Sequence, residues 1–198
     1  MIDEQHAAAY AQAQINPKRF AHSLATADEA ESLAKVFGAD VRKARLAGLL
    51  HDVGKGHARD AARCGVALDE IEAQDPELAH GRIGVAMVRA DLGLDDAEIL
   101  SAIACHTTGK AGMSLLDKIL YLADIIEPGR TFSGVERVRS LAQTDIDAAL
   151  LAALEQIMAF VRSKGAALHP RSVEAYRYLL DRRKKNSLDY REDVLGAA

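Results

Sequence analysis

The chain has 198 residues, 49% of them hydrophobic, and a formal net charge of −4. That is enough for one domain with a substantial core, and it leaves no bulk cationic excess to attract nucleic acid or an anionic membrane. Cys64 and Cys105 lie far apart without CxxC spacing, which argues against a disulfide framework and suits a reducing compartment.

The opening MIDEQHAAAY is acidic and has neither the basic stretch nor the apolar run of a secretory signal. The first helix signal is Ala27, Ala30, Leu33, Ala34 and Phe37, spaced at three and four and stopped by Gly38. The apolar run Leu46-Ala47-Gly48-Leu49-Leu50 then leads into His51-Asp52. Gly93 and Gly109 follow further periodic runs, the second containing Ile99, Ile103 and His106. Ser114-x-x-Asp117 reads as a capping box opening a helix that carries Leu116, Leu120 and Ala123, followed by Asp124. Thr144-x-x-Asp147 reads as another, and its helix ends before Gly165. The longest apolar stretch, Ala148 to Leu154, is too short to span a bilayer, so a cytoplasmic protein is expected. From Arg182 the period fades into RRKKN and then small residues; a helix end near 185 and a mobile tail over 186–198 are expected. With no alternating β-branched run, no Asn-Gly or Asp-Gly hairpin turn and no internal repeat, the predicted fold is an all-α orthogonal helical bundle, one domain over 1–185.

A lone His-Asp doublet is a weak motif. His51-Asp52 is accompanied by His22, His80, His106 and Asp124, all on predicted helices or their ends. His106 lies three residues after Ile103 and Asp124 four after Leu120, so both point inward. One inward histidine is ordinarily a hydrogen-bonded core residue, and one inward aspartate a salt bridge or cap. Six imidazoles and carboxylates on five helices are harder to explain separately, because each buried charge needs a partner; together they favour a metal site. Without thiolate, such a set suits Fe, Mn, Zn or Co rather than a closed structural zinc site. Cys105 faces about 100° away from His106 and is assigned to the core.

The order His22, His51-Asp52, Asp124 resembles the HD superfamily of metal-dependent phosphohydrolases, and His80 with His106 resembles its dinuclear members. The segment HTTGKAGMSLLDKILYLADIIEPGR, His106 to Arg130, is similar to a narrower group, the bacterial YqeK-type HD proteins, which are symmetrical diadenosine tetraphosphatases. Flanking text agrees: PKRFAHSL at 17–24, AGLLHDVGK at 47–55, AHGRIG at 79–84, FSGVERVRSLA at 132–142 and GAALHPRSVEAY at 165–176. An aromatic-alanine pair often follows the doublet in that group, where this chain has Val53-Gly54.

The resemblance implies that His22, His51, Asp52 and Asp124 hold one metal, and His80 with His106 the other, with Asp52 bridging. Two divalent ions roughly 3.5–4 Å apart can share a hydroxide that attacks phosphorus at neutral pH. The family's metal is iron, and the ligand set also allows Mn, Co or Zn.

Cations near the metals are needed to receive a polyphosphate on an acidic protein. Lys55, three residues after Asp52, is the first candidate and is grouped with Asp52 as catalytic. Thr107, Thr108, Gly109 and Lys110 offer hydroxyls, amides and a charge to phosphate oxygens. Arg130 can fork onto phosphate, while Glu127 either accepts from a ribose or holds Arg130. His169, before Pro170, is equally a surface histidine or a substrate contact. No P-loop or GxGxxG occurs.

The expected partner is a small dinucleoside polyphosphate, with no nucleic acid or membrane and with a homo-oligomer allowed. The competing activities are another HD nucleotide phosphohydrolase (a monophosphatase or pyrophosphatase), an HD-fold di-iron oxygenase and a non-catalytic binding module.

Overall fold

The computed structural model describes the backbone of residues 2–57 and 60–196, with side chains described as far as 185. The described residues form helices and turns with no strand, so the fold is all-α as expected. The helices are α1 Glu4–Gln14, α2 Pro17–Phe37, α3 Val41–Leu50, α4 Glu70–Gln74, α5 His80–Leu92, α6 Ala97–Cys105, α7 Leu115–Ile126, α8 Val135–Ala142, α9 Ile146–Ser163 and α10 Pro170–Gly196; a 3₁₀ turn, Pro76–Ala79, runs into α5.

Cap chemistry sets most of these boundaries. The Asn16 side chain accepts from the Arg19 amide ahead of Pro17, and Gly38 closes α2 in the left-handed conformation (φ 71°). Ser114 and Asp117 form the expected reciprocal capping box at the start of α7. The box read at Thr144 moves by one residue, because the Asp145 carboxylate takes the Ala148 amide and so caps α9. The expected helix end near 185 is also corrected. Helical backbone continues to Gly196, through a stretch with no glycine or proline before that residue to stop it. Residues 197–198 of the expected tail lie outside the described residues.

Leu116, Ile119, Leu120, Tyr121, Leu122, Ala123 and Ile126 are all buried, so α7 is apolar almost all round, as a central helix must be. It packs against α2, α3, α6, α8 and α9. α2 lies along α3, and α5 along α6. One apolar core extends from Ala7 to Leu179. Among the described residues no helix is long and apolar enough to cross a membrane.

Candidate metal centre

Five helices deliver the six residues of the constellation. His22 lies within α2, His51-Asp52 directly follows α3, His80 opens α5, His106 directly follows α6 and Asp124 lies in α7. Three of the four imidazoles are anchored alike, Nδ1 resting on the carbonyl oxygen three residues back. The distances are 2.7 Å from His51 to Gly48, 2.5 Å from His80 to Glu77 and 2.7 Å from His106 to Ile103. A carbonyl only accepts, so Nδ1 carries the proton in each ring. The fourth, His22, turns Nδ1 to the Glu127 carboxylate at 3.2 Å, with the same result. Burial lowers the pKa of His80 and pushes that of His51 down to about 4, so these rings are neutral and Nε2 keeps its lone pair.

Those lone pairs converge. The Nε2 atoms of His80 and His106 are 2.8 Å apart. With both Nδ1 atoms turned to backbone carbonyls, a proton or a cation has to lie between these two nitrogens, and two imidazoles bound at 2.0–2.1 Å and right angles to one cation sit about 3 Å apart. His22 Nε2 lies 2.9 Å from Asp124 Oδ1, and His80 Nε2 lies 3.1 Å from Asp52 Oδ1. His51 Nε2 stands between the carboxylates, 3.7 Å from Asp52 Oδ1 and 3.9 Å from Asp124 Oδ1. It is fully buried and has no hydrogen-bond partner among the described residues, a state that costs about 1–3 kcal/mol unless something else binds there. The donor atoms group as His22, His51 and Asp124 and as His51, Asp52 and His106, each set within 4.8 Å. This donor chemistry fits divalent cations.

Both carboxylates are ionised. Burial works against ionisation of Asp52, yet His51, His106 and His80 hold its carboxyl well below the usual carboxylate range. Asp124 is held low in the same way by His22, His51 and Arg130. For His22, burial also opposes the charged form, but the bond to Asp124 raises its pKa overall.

Gly81 and Gly54 permit this convergence. A Cβ at Gly81 would lie 2.5 Å from the Ile103 carbonyl oxygen that anchors His106, and one at Gly54 would lie 2.5 Å from the Gly84 amide nitrogen in α5. The Val53-Gly54 pair therefore lets the turn after Asp52 abut α5 and His80.

The rim residues fall into two groups. Lys55 Nζ lies 3.4 Å from His80 Nδ1 and 3.7 Å from Glu77. Thr107 Oγ1 lies 3.4 Å from Nε2 of both His80 and His106. Arg130 contacts the Asp124 carboxylate, donates to the Asp124 carbonyl at 2.8 Å and approaches His22 Nε2 at 3.4 Å.

The others face elsewhere. Gly109, at φ 68°, turns the chain away after α6. Lys110 then crosses to Ser101 Oγ at 2.6 Å and Asp117 at 3.1 Å. Thr108 is buried and donates to the Gly109 carbonyl. Glu127 is buried and accepts from the Gly129 amide besides facing His22; its contact with Arg130 is longer, 3.7 Å. His169 is buried too, donating to Asp69 at 3.1 Å while its Nδ1 accepts from the Arg171 amide.

Arg19 was not singled out from the sequence. Its guanidinium reaches Asp52 Oδ2 at 3.3 Å, and with Lys55 it lines a cleft of about 420 Å³ beside the cluster. The available signal was its position three residues before His22, on the same helix face.

Because Glu127 orients His22, Glu127→Ala should lower metal affinity by roughly 10–100-fold, the usual effect of losing such an outer partner. Competition with a chelator reads this directly; an unchanged affinity would show that His22 needs no such support.

An HD-domain model matches residues 19–129, over half the chain, and that span includes all six converging residues. The symmetrical bis(5'-nucleosyl)-tetraphosphatase of Bacillus subtilis (strain 168) is 35% identical over 183 residues, covering 90% of this chain and 98% of the relative. The protein of the same name from Halalkalibacterium halodurans is 37% identical over 171 residues, covering 84% and 91%. A crystal structure from Clostridium acetobutylicum, described as a predicted HD superfamily hydrolase involved in NAD metabolism, superposes with a TM-score of 0.86 at 38% identity, covering 92% of this chain and 99% of that one. With the helical bundle, the convergent histidines and these relatives in agreement, the chain belongs to the HD-domain family and is a phosphohydrolase of its YqeK type.

Proposed function

We propose that this phosphohydrolase splits diadenosine tetraphosphate symmetrically, at a centre of two divalent ions held by His22, His51, Asp52 and Asp124 and by His80 and His106, with Asp52 shared. The observation that carries the reading is the convergence of four imidazole Nε2 atoms on two ionised carboxylates, with His51 Nε2 buried and unsatisfied. Iron is the proposed metal, and Mn, Co and Zn accept the same ligands. When bound, two such ions make a nucleophile from water at neutral pH and neutralise phosphoryl oxygens.

The protein's own contribution is to hold the tetraphosphate in line. Lys55 and Arg19 flank Asp52 on one side of the cluster. Arg130 flanks Asp124 on the other. Thr107 offers its hydroxyl beside His80 and His106. Arg130 pairs with the oxygen that a cation would take; like-charge repulsion then directs the guanidinium to phosphate, where its planar fork fits. Water adds to one central phosphorus, the central P–O bond breaks, and the bridging oxygen leaves with the other half, giving two ADP.

Metal analysis combined with product chromatography on diadenosine tetraphosphate tests this. ADP as sole nucleotide product supports it, while AMP together with ATP would overturn the symmetrical cut. Lys55→Ala should keep its metal and weaken substrate binding or turnover by roughly tenfold or more, the scale of a lost charge-assisted hydrogen bond. Loss of metal in that variant would show that Lys55 supports the ligands instead.

A further inference from the structure

Beside Asp124 and Arg130 a second cavity, about 640 Å³, opens between α7, the 130–134 loop and α9. Its character differs from the polar cleft at Arg19 and Lys55. The sequence holds four phenylalanines, and two of them, Phe132 and Phe160, line this cavity while remaining 38% and 62% exposed. Exposing two aromatic rings at one site is unfavourable in a free surface, and aromatic faces beside a cation are what a nucleotide requires. The Lys164 ammonium lies 5.4 Å from the Phe160 ring centroid, a cation–π contact that steadies the ring. Gln156, also in the lining, is tied through its amide nitrogen to the Ser133 carbonyl at 2.8 Å, which pins the loop carrying Phe132 to α9.

We propose that this cavity is the base site for one nucleoside of the substrate: Phe132 and Phe160 stack on a purine while Arg130, at the inner end, holds its phosphate against the metal centre. The inference rests on the nucleotide-polyphosphate reading of that centre. It assigns the two halves of the substrate different surroundings. One base lies on aromatic rings, and the other half extends over the polar cleft of Arg19 and Lys55. Recognition is by the ring face, which every base possesses.

Calorimetric titration of the metal-loaded enzyme with ADP and with inorganic diphosphate tests the proposal. Phe160→Leu and Phe132→Leu should each weaken ADP binding by roughly tenfold, within the range of single stacking contacts, with the metal content and diphosphate affinity of the wild type. Phe160→Tyr should restore ADP affinity, because it restores the ring. ADP binding unchanged in both leucine variants would overturn the base site. Equal losses for ADP and diphosphate would also overturn it, by showing a structural effect. Failure of the underlying substrate reading has its own signature: the wild-type enzyme would leave diadenosine tetraphosphate intact.

Discussion

Asp52→Ala should abolish hydrolysis and release most of the bound metal. Asp52 Oδ1 lies 3.1 Å from His80 Nε2, 3.7 Å from His51 Nε2 and 3.8 Å from His106 Nε2, so one oxygen is shared among three of the four imidazoles. Removing a partner that merely orients a ligand costs roughly 10–100-fold; removing the carboxylate that the proposed centre shares between its two ions should cost more than that upper figure. The substitution also removes the negative charge that offsets two cations in a buried site. Metal stoichiometry and the rate on diadenosine tetraphosphate should fall together. A variant retaining full metal and activity would exclude Asp52 as a ligand.

His80→Ala and His106→Ala should each empty one metal position and leave roughly one ion with little catalysis, because a single ion cannot clamp both the attacking and leaving oxygens. The Nε2 atoms of these two rings lie 2.8 Å apart, while His22 Nε2 lies against Asp124 and His51 stands between the two carboxylates. His6 and His57 share only the residue type. His6 is exposed near the start of α1, and His57 pairs with Asp60 at 3.6 Å on the surface. His6→Ala and His57→Ala should leave stoichiometry and rate within error of wild type, as surface changes usually do. Metal analysis of the four variants decides it: loss of metal in His57→Ala with none in His80→Ala would refute the dinuclear assignment.

Much of the bundle was legible because helix signals are local. The three-and-four spacing in Ala27 to Phe37 and the Ser114-Asp117 box depend on residues within a turn or two of each other, and both elements form where expected. Local reading failed where local options compete. Thr144 and Asp145 are both good caps, and the charged acceptor prevailed. At the C-terminal end, falling hydrophobicity suggested a tail, yet residues with adequate helix propensity continue α10 to Gly196.

For the site, the sequence by itself determined the residue types, their inward placement on helices, and so a cluster of imidazole and carboxylate without thiolate. It could not distinguish the rim residues that reach the cluster from those that turn away. Thr107 and Lys110 are three residues apart, but Gly109 reverses the chain between them, so Thr107 meets the histidines and Lys110 pairs with Asp117. Arg19 and Glu127 acquired their places at Asp52 and His22 only through the packing of α2 on α3 and α7. A side chain's chemistry is a property of its residue, whereas the partner that it meets across helices depends on how closely their backbones approach. At Gly54 and Gly81 that approach leaves no room for a Cβ, and the tertiary structure decided it.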